Sequence, residues 1–280
     1  LLAFIMMKQK LAFVGGGSMA RSLIGGLLAN NYDPSLIRVS DPVSEQREAL
    51  SNDFSVHILE DNLACIHDAD VVIAAVKPQI LKEVLISLHQ HLDISSQFLI
   101  SIAAGIRTDT MRYWISRDIS LIRVMPNTPA LIGCGASVLF ANQNVKRSQK
   151  NIAENIMRAV GEVAWINNED LLDAVTAISG SGPAYFFRII EIMINSAKKN
   201  GLDPELSKNL VLQTALGAAQ LAKASNLSAS ELRTQVTSKK GTTEAALNFL
   251  DNANIEALFE GAVSAAMIRS RELASELGEK

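Results

Sequence analysis

The N-terminal half of the chain alternates short apolar runs with longer segments in which apolar residues recur every three or four positions. The short runs predict buried strands, and the longer segments predict amphipathic helices. The predicted strands cover residues 11–14, 36–40, 70–76, 98–102, 120–125, 137–140 and 162–166, with a short extended piece at 55–58. The predicted helices cover residues 19–28, 44–52, 62–67, 79–89, 109–115 and 145–160. This alternation is typical of an α/β fold built on a parallel sheet.

The pattern changes after residue 166, where helical segments follow one another without a convincing strand. One of these segments, residues 185–197, is apolar on nearly every side, so all of its faces must be buried. The other C-terminal helices are too few to enclose it, which predicts an interlocked homodimer. We therefore expect a sheet domain over residues 1–166 and an all-helical dimerisation and substrate domain over residues 167–280.

A glycine-rich turn joins the first strand to the first helix. The spacing Gly15-x-Gly17-x-x-Ala20 is a form of the dinucleotide fingerprint of Rossmann-type doubly wound domains. Gly15 permits a tight turn, Gly17 permits close approach of a pyrophosphate, and Ala20 permits close packing of helix on strand. The alternative is a glycine turn without a ligand. The candidate cofactor contacts here are Gly15, Gly17, Ser18, Met19 and Ala20.

The loops that follow the other predicted strands contain glycine, proline and small or polar residues. In an open parallel sheet, ligands bind beyond the carboxyl ends of the strands, so these loops are expected to complete the dinucleotide site. The further candidate contacts are Ser40, Asp41, Ala75, Val76, Lys77, Pro78, Ala103, Ala104, Met125, Pro126 and Asn127.

Asp41 is the most informative of these residues for the type of cofactor. It follows Ala20 at the spacing at which a carboxylate binds the ribose 2′-hydroxyl of NAD, whereas a 2′-phosphate would meet a like charge. Ser40, Ser44 and Arg47 lie nearby in sequence and could offset that charge. An Asp before Pro42 is equally explained as a turn former.

Composition excludes several other classes of protein. The net charge of −3 over 280 residues gives no electrostatic footprint for nucleic acid or an anionic membrane. Cys65 and Cys134 make neither a disulfide framework nor a zinc motif, and we predict no metal at His89 and His91. We expect a reducing, cytoplasmic location. Residues 1–7 are expected to be an extension rather than a signal peptide, and no run reaches the ~20 apolar residues of a membrane span.

Two hydroxyl-rich turns precede helices in the C-terminal half, at residues 179–183 and 237–243. The free N–H groups of a helix N-terminus can receive an anion, so together these turns suggest a carboxylate pocket. Ordinary helix capping is the alternative. No acid–base pair is evident in the sequence, so the chemistry would rest on the cofactor, with the protein positioning the substrate.

From Lys8 onward, the chain resembles the pyrroline-5-carboxylate reductases, which catalyse the last step of proline biosynthesis. The motifs that carry the resemblance occur in order at residues 15–20, 75–79, 123–129, 179–185 and 238–243. The resemblance implies a small-molecule substrate, 1-pyrroline-5-carboxylate, reduced to L-proline with NADPH or NADH. It also implies a helical dimerisation domain, with dimers often assembled into rings.

The resemblance also implies residue roles. The nicotinamide would rest near Met125, Pro126 and Asn127 on one side and near Ala103 and Ala104 on the other. The C-terminal loop would hold the substrate at the partner subunit's cofactor, with the substrate carboxylate on backbone amides. Thr243 would be the catalytic residue, its hydroxyl bonded to the ring nitrogen. The implied substrate-binding residues are Ser238, Gly241, Thr242 and Thr243.

Three positions depart from the family pattern. Ser18 replaces the usual Asn, and Lys239-Lys240 replaces the usual Pro-Gly. Asp41, the third departure, replaces a residue that is often Ser, Asn or Arg. NAD(H) is therefore also a possible cofactor, although the resemblance favours NADP(H). Two alternatives remain at this point: a reductase of the β-hydroxyacid dehydrogenase kind, and a dinucleotide-sensing protein without turnover.

Overall fold

The computed structural model describes residues 8–278, in which eight strands form one sheet in the order β3-β2-β1-β4-β5-β6-β7-β8. The strands are β1 Leu11–Val14, β2 Ile37–Ser40, β3 His57–Leu59, β4 Val71–Ala74, β5 Phe98–Ser101, β6 Leu121–Met125, β7 Gly135–Ala141 and β8 Gly161–Trp165. All neighbouring strands pair in parallel except β6 and β7, which are antiparallel. The first six strands follow the standard dinucleotide-binding order, which confirms the predicted Rossmann-type sheet.

Twelve α-helices accompany the sheet within residues 8–278. They are α1 Ser18–Ala29, α2 Ser44–Asp53, α3 Asn62–Ile66, α4 Pro78–Leu88, α5 Thr108–Ile115, α6 Arg147–Arg158, α7 Leu171–Val175, α8 Gly182–Lys199, α9 Pro204–Ala224, α10 Ala229–Gln235, α11 Thr242–Asn252 and α12 Ile255–Gly278. Short 3₁₀ turns span Pro34–Leu36 and Thr128–Ile132, and a π-helical turn spans Thr176–Gly180. The sequence pattern indicated neither the π-helical turn nor the direction of β7.

Hydrophobic clusters cover both faces of the sheet, as a doubly wound fold requires. Phe13 and Ile73 point to one face, where they pack in a cluster with Ile24 of α1. Val14 and Val72 point to the other face, where they pack in a cluster with Leu85 of α4. Because both faces are covered, β1, β4 and β5 are buried at every position. The continuous apolar runs in the sequence are the signature of these strands.

The chain divides into two compact units. The first contains the sheet and its helices through Ser181, together with the end of α12 from Ala266, and the second contains Gly182–Ala265. The domain boundary predicted after residue 166 comes earlier in the chain than the observed division after Ser181. The segment after β8 stays with the sheet because Glu169 accepts a hydrogen bond of 2.9 Å from the buried Arg123 of β6.

The second unit consists of helices whose apolar faces are open in the single chain. On α8, Phe186 is 68 % exposed and Phe187 is 63 % exposed, and Ile192 and Met193 are also exposed. A contiguous exposed apolar face on a helix marks an interaction surface. The helix that the sequence predicts to be buried on all sides is therefore exposed along this face in the single chain.

The expectation for residues 1–7 lies outside the described residues. Among residues 8–278, no helix is both long and apolar enough to cross a membrane.

Candidate functional site

The turn between β1 and α1 is shaped by close contact with the end of β4. Gly15 has a φ of +100°, and a Cβ at this position would lie 2.7 Å from the carbonyl oxygen of Ala75. Its N–H donates to the carbonyl of Ser40 at 2.8 Å, which ties the turn to β2. Only glycine fits this combination of left-handed backbone and close approach.

Gly17 is the N-cap of α1 and faces open space. A Cβ at Gly17 would meet no protein atom within 4 Å, and its φ is −66°. The first N–H groups of α1, from Ser18, Met19 and Ala20, have no partner in the preceding turn of a helix. Free donors beside open space fit a pyrophosphate, so the residues present suit a bound dinucleotide.

The Asp41 carboxylate, just beyond β2, is oriented by two backbone donors. Oδ2 accepts a hydrogen bond from Gly16 N at 2.9 Å, and Oδ1 accepts one from Val43 N at 3.0 Å. Asp41 is thus both a turn former and a part of the glycine-rich turn. Each carboxylate oxygen keeps a second lone pair with which it can accept a ribose hydroxyl.

Arg47 is the first cationic residue after Asp41 in the sequence, but its guanidinium is already hydrogen-bonded. Nη1 donates to the carbonyls of Asp41 and Pro42 at 2.9 Å each, and Nη2 donates to Glu60 at 3.1 Å. Ser44, the other candidate, donates to Glu45 at 3.2 Å. Neither residue directs a free donor at the Asp41 carboxylate.

Ser40, which the sequence analysis includes among the cofactor contacts, is buried in the structure. The residue is 0 % exposed, and its hydroxyl donates to Asn62 Oδ1 at 2.8 Å. Ser40 is the last residue of β2, and its side chain points towards α3, whose first residue is Asn62. It supports the turn from behind.

The loop after β4 ends at the same edge of the sheet as the glycine turn. Ala75 N donates to Val14 O at 2.8 Å, which joins this loop to the end of β1. Ala75 and Val76 are partly exposed, and Lys77 is exposed as the N-cap of α4. Pro78 opens α4 at the position where a missing N–H costs nothing.

The loops after β5 and β6 lie on neighbouring strands. Ala103 is buried and Ala104 is partly exposed, whereas Met125 is partly exposed and Pro126 is buried. Parallel pairing of β5 with β6 brings both loops to one edge, as predicted.

Asn127 links its loop to two other parts of the sheet domain. Nδ2 donates to the carbonyl of Ser179 at 3.0 Å, and Oδ1 accepts from Ala136 N at 2.8 Å. The Asn127 side chain therefore helps to fix the shape of the loop.

The second hydroxyl-rich turn forms the start of α11 in the helical unit. Gly241 is the N-cap, and Thr242 and Thr243 are the first helical residues. Gly241 N donates to Ser238 O at 3.0 Å, and a Cβ on Gly241 would lie 2.2 Å from Ser238 Oγ. The first N–H groups of the helix are left free to bind an anion.

The turn at residues 179–183 overlaps the π-helical turn at Thr176–Gly180. Ser179 Oγ donates to the carbonyl of Val175 at 3.1 Å, within the π-helical turn. Its hydroxyl is therefore not available to an anion. The π-helical turn itself is notable because such turns are frequent at functional sites.

Charged groups beside the loops after β5 and β6 were not among the residues predicted from the sequence. Arg123 is buried on β6 and its partner Glu169 also accepts from Thr108 N at 2.9 Å and from Thr108 Oγ1 at 2.6 Å. An arginine inside an otherwise apolar strand was the available signal, because a buried charge requires a partner.

The buried Cys65 is not a nucleophile, since burial raises the pKa of its thiol to about 11.

Comparison with known proteins bears on this site. A family model described as pyrroline-5-carboxylate reductase dimerisation matches residues 169–273, and one described as NADP oxidoreductase coenzyme F420-dependent matches residues 10–105. The chain is 46 % identical to a pyrroline-5-carboxylate reductase of Pseudomonas aeruginosa, over 98 % of this chain and 100 % of that protein. It is 42 % identical to the Haemophilus influenzae enzyme, over 96 % and 98 % of the two chains.

Solved structures agree with these sequence relationships. The pyrroline-5-carboxylate reductase of Coxiella burnetii superimposes with a TM-score of 0.91 at 41 % identity, covering 96 % of this chain and 99 % of that one. The Plasmodium falciparum enzyme, described with NADP bound, gives a TM-score of 0.86 at 32 % identity, with the same coverage of 96 % and 99 %.

The two glycines of the turn should respond differently to alanine. We expect Gly17→Ala to fold normally, within about 0.5 kcal/mol of the parent, because its Cβ meets no protein atom. The same Cβ would occupy the space for a pyrophosphate, so the dinucleotide Kd should rise at least about tenfold, roughly 1.4 kcal/mol. Gly15→Ala should lose stability as well, because of its left-handed backbone. Fluorescence titration and thermal unfolding measure both effects. Unchanged dinucleotide affinity in Gly17→Ala would contradict this site.

Proposed function

The chain belongs to the pyrroline-5-carboxylate reductase family, and we propose how its residues divide the work of that reaction. It is an NAD(P)H-dependent oxidoreductase that reduces 1-pyrroline-5-carboxylate to L-proline, the final step of proline biosynthesis. The full-length similarity to these reductases carries this conclusion. It replaces the β-hydroxyacid dehydrogenase and dinucleotide-sensor alternatives.

We propose that the dinucleotide pyrophosphate binds the N-terminus of α1, beside Gly17. The open space at Gly17 and the free N–H groups of Ser18, Met19 and Ala20 support this assignment. Lys77 lies exposed at the neighbouring strand end, where its ammonium can reach a ribose or phosphate group. When bound, the dinucleotide supplies the hydride.

We propose that the nicotinamide end lies between the loops after β5 and β6. Ala103 and Ala104 border one side, and Met125 and Pro126 border the other. These residues have no charged side chains, which suits a flat ring. Asn127 contributes by holding its loop in shape through its two amide hydrogen bonds.

The substrate is assigned to the start of α11. The backbone N–H groups of Thr242 and Thr243 suit the substrate carboxylate, with Ser238 and Gly241 shaping the turn. The Thr243 hydroxyl is proposed to accept a hydrogen bond from the protonated ring nitrogen. Such a bond fixes the orientation of the imine carbon and stabilises the iminium charge.

This arrangement explains why the site needs no acid–base pair. A protonated cyclic imine already carries the proton that the product amine keeps, so hydride addition to the imine carbon, which becomes C5 of proline, completes the reaction. The protein has only to bind both molecules, orient them and exclude water.

We propose that Asp41 makes the chain able to use NADH and limits its preference for NADPH. The carboxylate can accept hydrogen bonds from ribose hydroxyls, and it repels a 2′-phosphate. Arg47, which could offset the repulsion, is bonded to two carbonyls and to Glu60. By contrast, the Plasmodium falciparum enzyme is described with NADP bound, which favours NADP(H) as the cofactor.

The oligomer is proposed to be a homodimer formed through the helical unit. The match to the dimerisation model and the open apolar face of α8 support it. Further assembly of dimers into a ring, completion of each substrate site by a partner subunit, and the cytoplasmic location remain predictions from the sequence.

Replacing the Thr243 hydroxyl should impair turnover and leave cofactor binding intact. We expect Thr243→Ala to lower kcat/KM for 1-pyrroline-5-carboxylate about 30-fold, near 2 kcal/mol, because a hydrogen bond to a charged group is lost. Thr243→Ser keeps the hydroxyl and should retain most activity. Thr234→Ala, whose hydroxyl bonds to Ser230 O within α10, is the matched control. Equal losses in turnover and dinucleotide affinity would argue against the assigned role.

The cofactor preference should follow the charge of Asp41. We expect Asp41→Asn to raise the ratio of kcat/KM for NADPH to that for NADH about tenfold, roughly 1.4 kcal/mol. The ratio cancels any general loss from disturbing the Gly16 and Val43 bonds. Asp33→Asn, at the N-cap of the 3₁₀ turn that precedes β2, controls for net charge and should leave the ratio unchanged. A ratio insensitive to Asp41→Asn would exclude this residue as the determinant.

A further inference from the structure

The loop after β5 continues past Ala103 and Ala104 into a cluster of charged side chains. Arg107, the N-cap of α5, donates from Nη1 to Asp170 Oδ1 at 2.5 Å, and its Nη2 lies 3.5 Å from Asp173 Oδ2. The next residue, Thr108, is bonded through N–H and hydroxyl to Glu169. Carboxylates at residues 169, 170 and 173 thus fix the junction between the loop and α5, at its N-cap Arg107 and its first residue Thr108.

The buried carboxylate of Asp173 requires a positively charged side chain at position 107. The residue is 3 % exposed, and Oδ1 accepts from the Ser270 hydroxyl of α12 at 2.8 Å. Within residues 8–278, Oδ2 has no hydrogen-bond donor, and only Arg107 and Arg271, at 3.5 and 3.7 Å, balance its charge. A buried carboxylate needs such a partner.

Arg107 remains charged in this setting. Burial by itself lowers the pKa of its guanidinium, but the hydrogen bond and charge of Asp170, with Asp173 and Glu169 nearby, raise it overall. The Arg107 guanidinium therefore keeps its positive charge at neutral pH.

The loop after β6 is attached to the same stretch of chain. Asn127 Nδ2 donates to Ser179 O, and a Cβ on Gly180 would lie 2.3 Å from Met125 Cε. The segment of residues 169–180, which we call the support segment, contains α7 and the π-helical turn. It contacts both loops assigned to the nicotinamide.

We propose that Arg107 is a positioning residue for the reduction: it holds the loop after β5 on the support segment and so fixes its place relative to the loop after β6. This inference rests on the proposed placement of the nicotinamide between those loops. A displacement of about 1 Å between reacting atoms can slow a reaction strongly. Dinucleotide affinity depends mainly on the glycine turn at the other end of the site, so it should be much less affected.

The test is the variant Arg107→Met in the full chain, with NAD(P)H protiated or deuterated at C4 of the nicotinamide. We expect kcat to fall about tenfold and the dinucleotide Kd to stay within about twofold of the parent. The primary deuterium isotope effect on kcat should increase, because the reduction itself becomes rate-limiting. Arg107→Lys should restore part of kcat.

Arg112→Met is the matched control. Arg112 lies on the same helix, its side chain is 38 % exposed against 37 % for Arg107, and it is paired with Asp109 and Asp118 rather than with the support segment. It should leave both kcat and the isotope effect unchanged. If Arg107→Met does not fold, Asp170→Asn removes the exposed half of the link without leaving a buried charge, and it should shift both quantities in the same direction.

A kcat that falls only with the folded fraction, at an unchanged isotope effect in both Arg107→Met and Asp170→Asn, would overturn the positioning role. That result would leave the reaction itself standing. Failure of the parent chain to form proline would instead refute the proposed function.

Discussion

Close contact between the glycine turn and the end of β4 is the constraint on which the site depends. No side chain fits at Gly15, because the Ala75 carbonyl lies 2.7 Å from where a Cβ would be. The resulting turn points the N-terminus of α1 at open space beside Gly17 and brings Gly16 N to the Asp41 carboxylate at 2.9 Å. The proposed pyrophosphate and ribose contacts both depend on this one turn.

The division of labour follows from the fold. The parallel sheet brings the loops after β1, β2, β4, β5 and β6 to one edge, where they accommodate a dinucleotide. The helical unit supplies a turn at Thr242 and Thr243 that suits a carboxylate. A carboxylate and a backbone carbonyl of the support segment then hold the two loops proposed to border the nicotinamide. In this scheme the protein accelerates the reaction chiefly by orienting the cofactor and the substrate. The rate therefore depends on the positions of the loops rather than on the protonation of side chains.

Much of this could be predicted because its determinants are local. Apolar runs identified the strands, and the spacing of Gly15, Gly17 and Ala20 identified the turn. Features set by distant contacts could not be predicted. The buried side chain of Ser40 is oriented by its hydrogen bond to Asn62. The Asn127 amide is oriented by its hydrogen bond to the carbonyl of Ser179, 52 residues away. Alternating residues fix which face of β7 is buried but not its antiparallel direction.

The most direct test of the account follows the hydrogen that is transferred. The purified chain would be given 1-pyrroline-5-carboxylate with NADH or NADPH carrying two deuterium atoms at C4 of the nicotinamide, and the proline formed would be analysed by mass spectrometry and NMR. The account predicts one deuterium per proline, located at C5, with one dinucleotide oxidised for each proline formed. Dinucleotide oxidation without labelled proline, or deuterium at any other carbon, would contradict it.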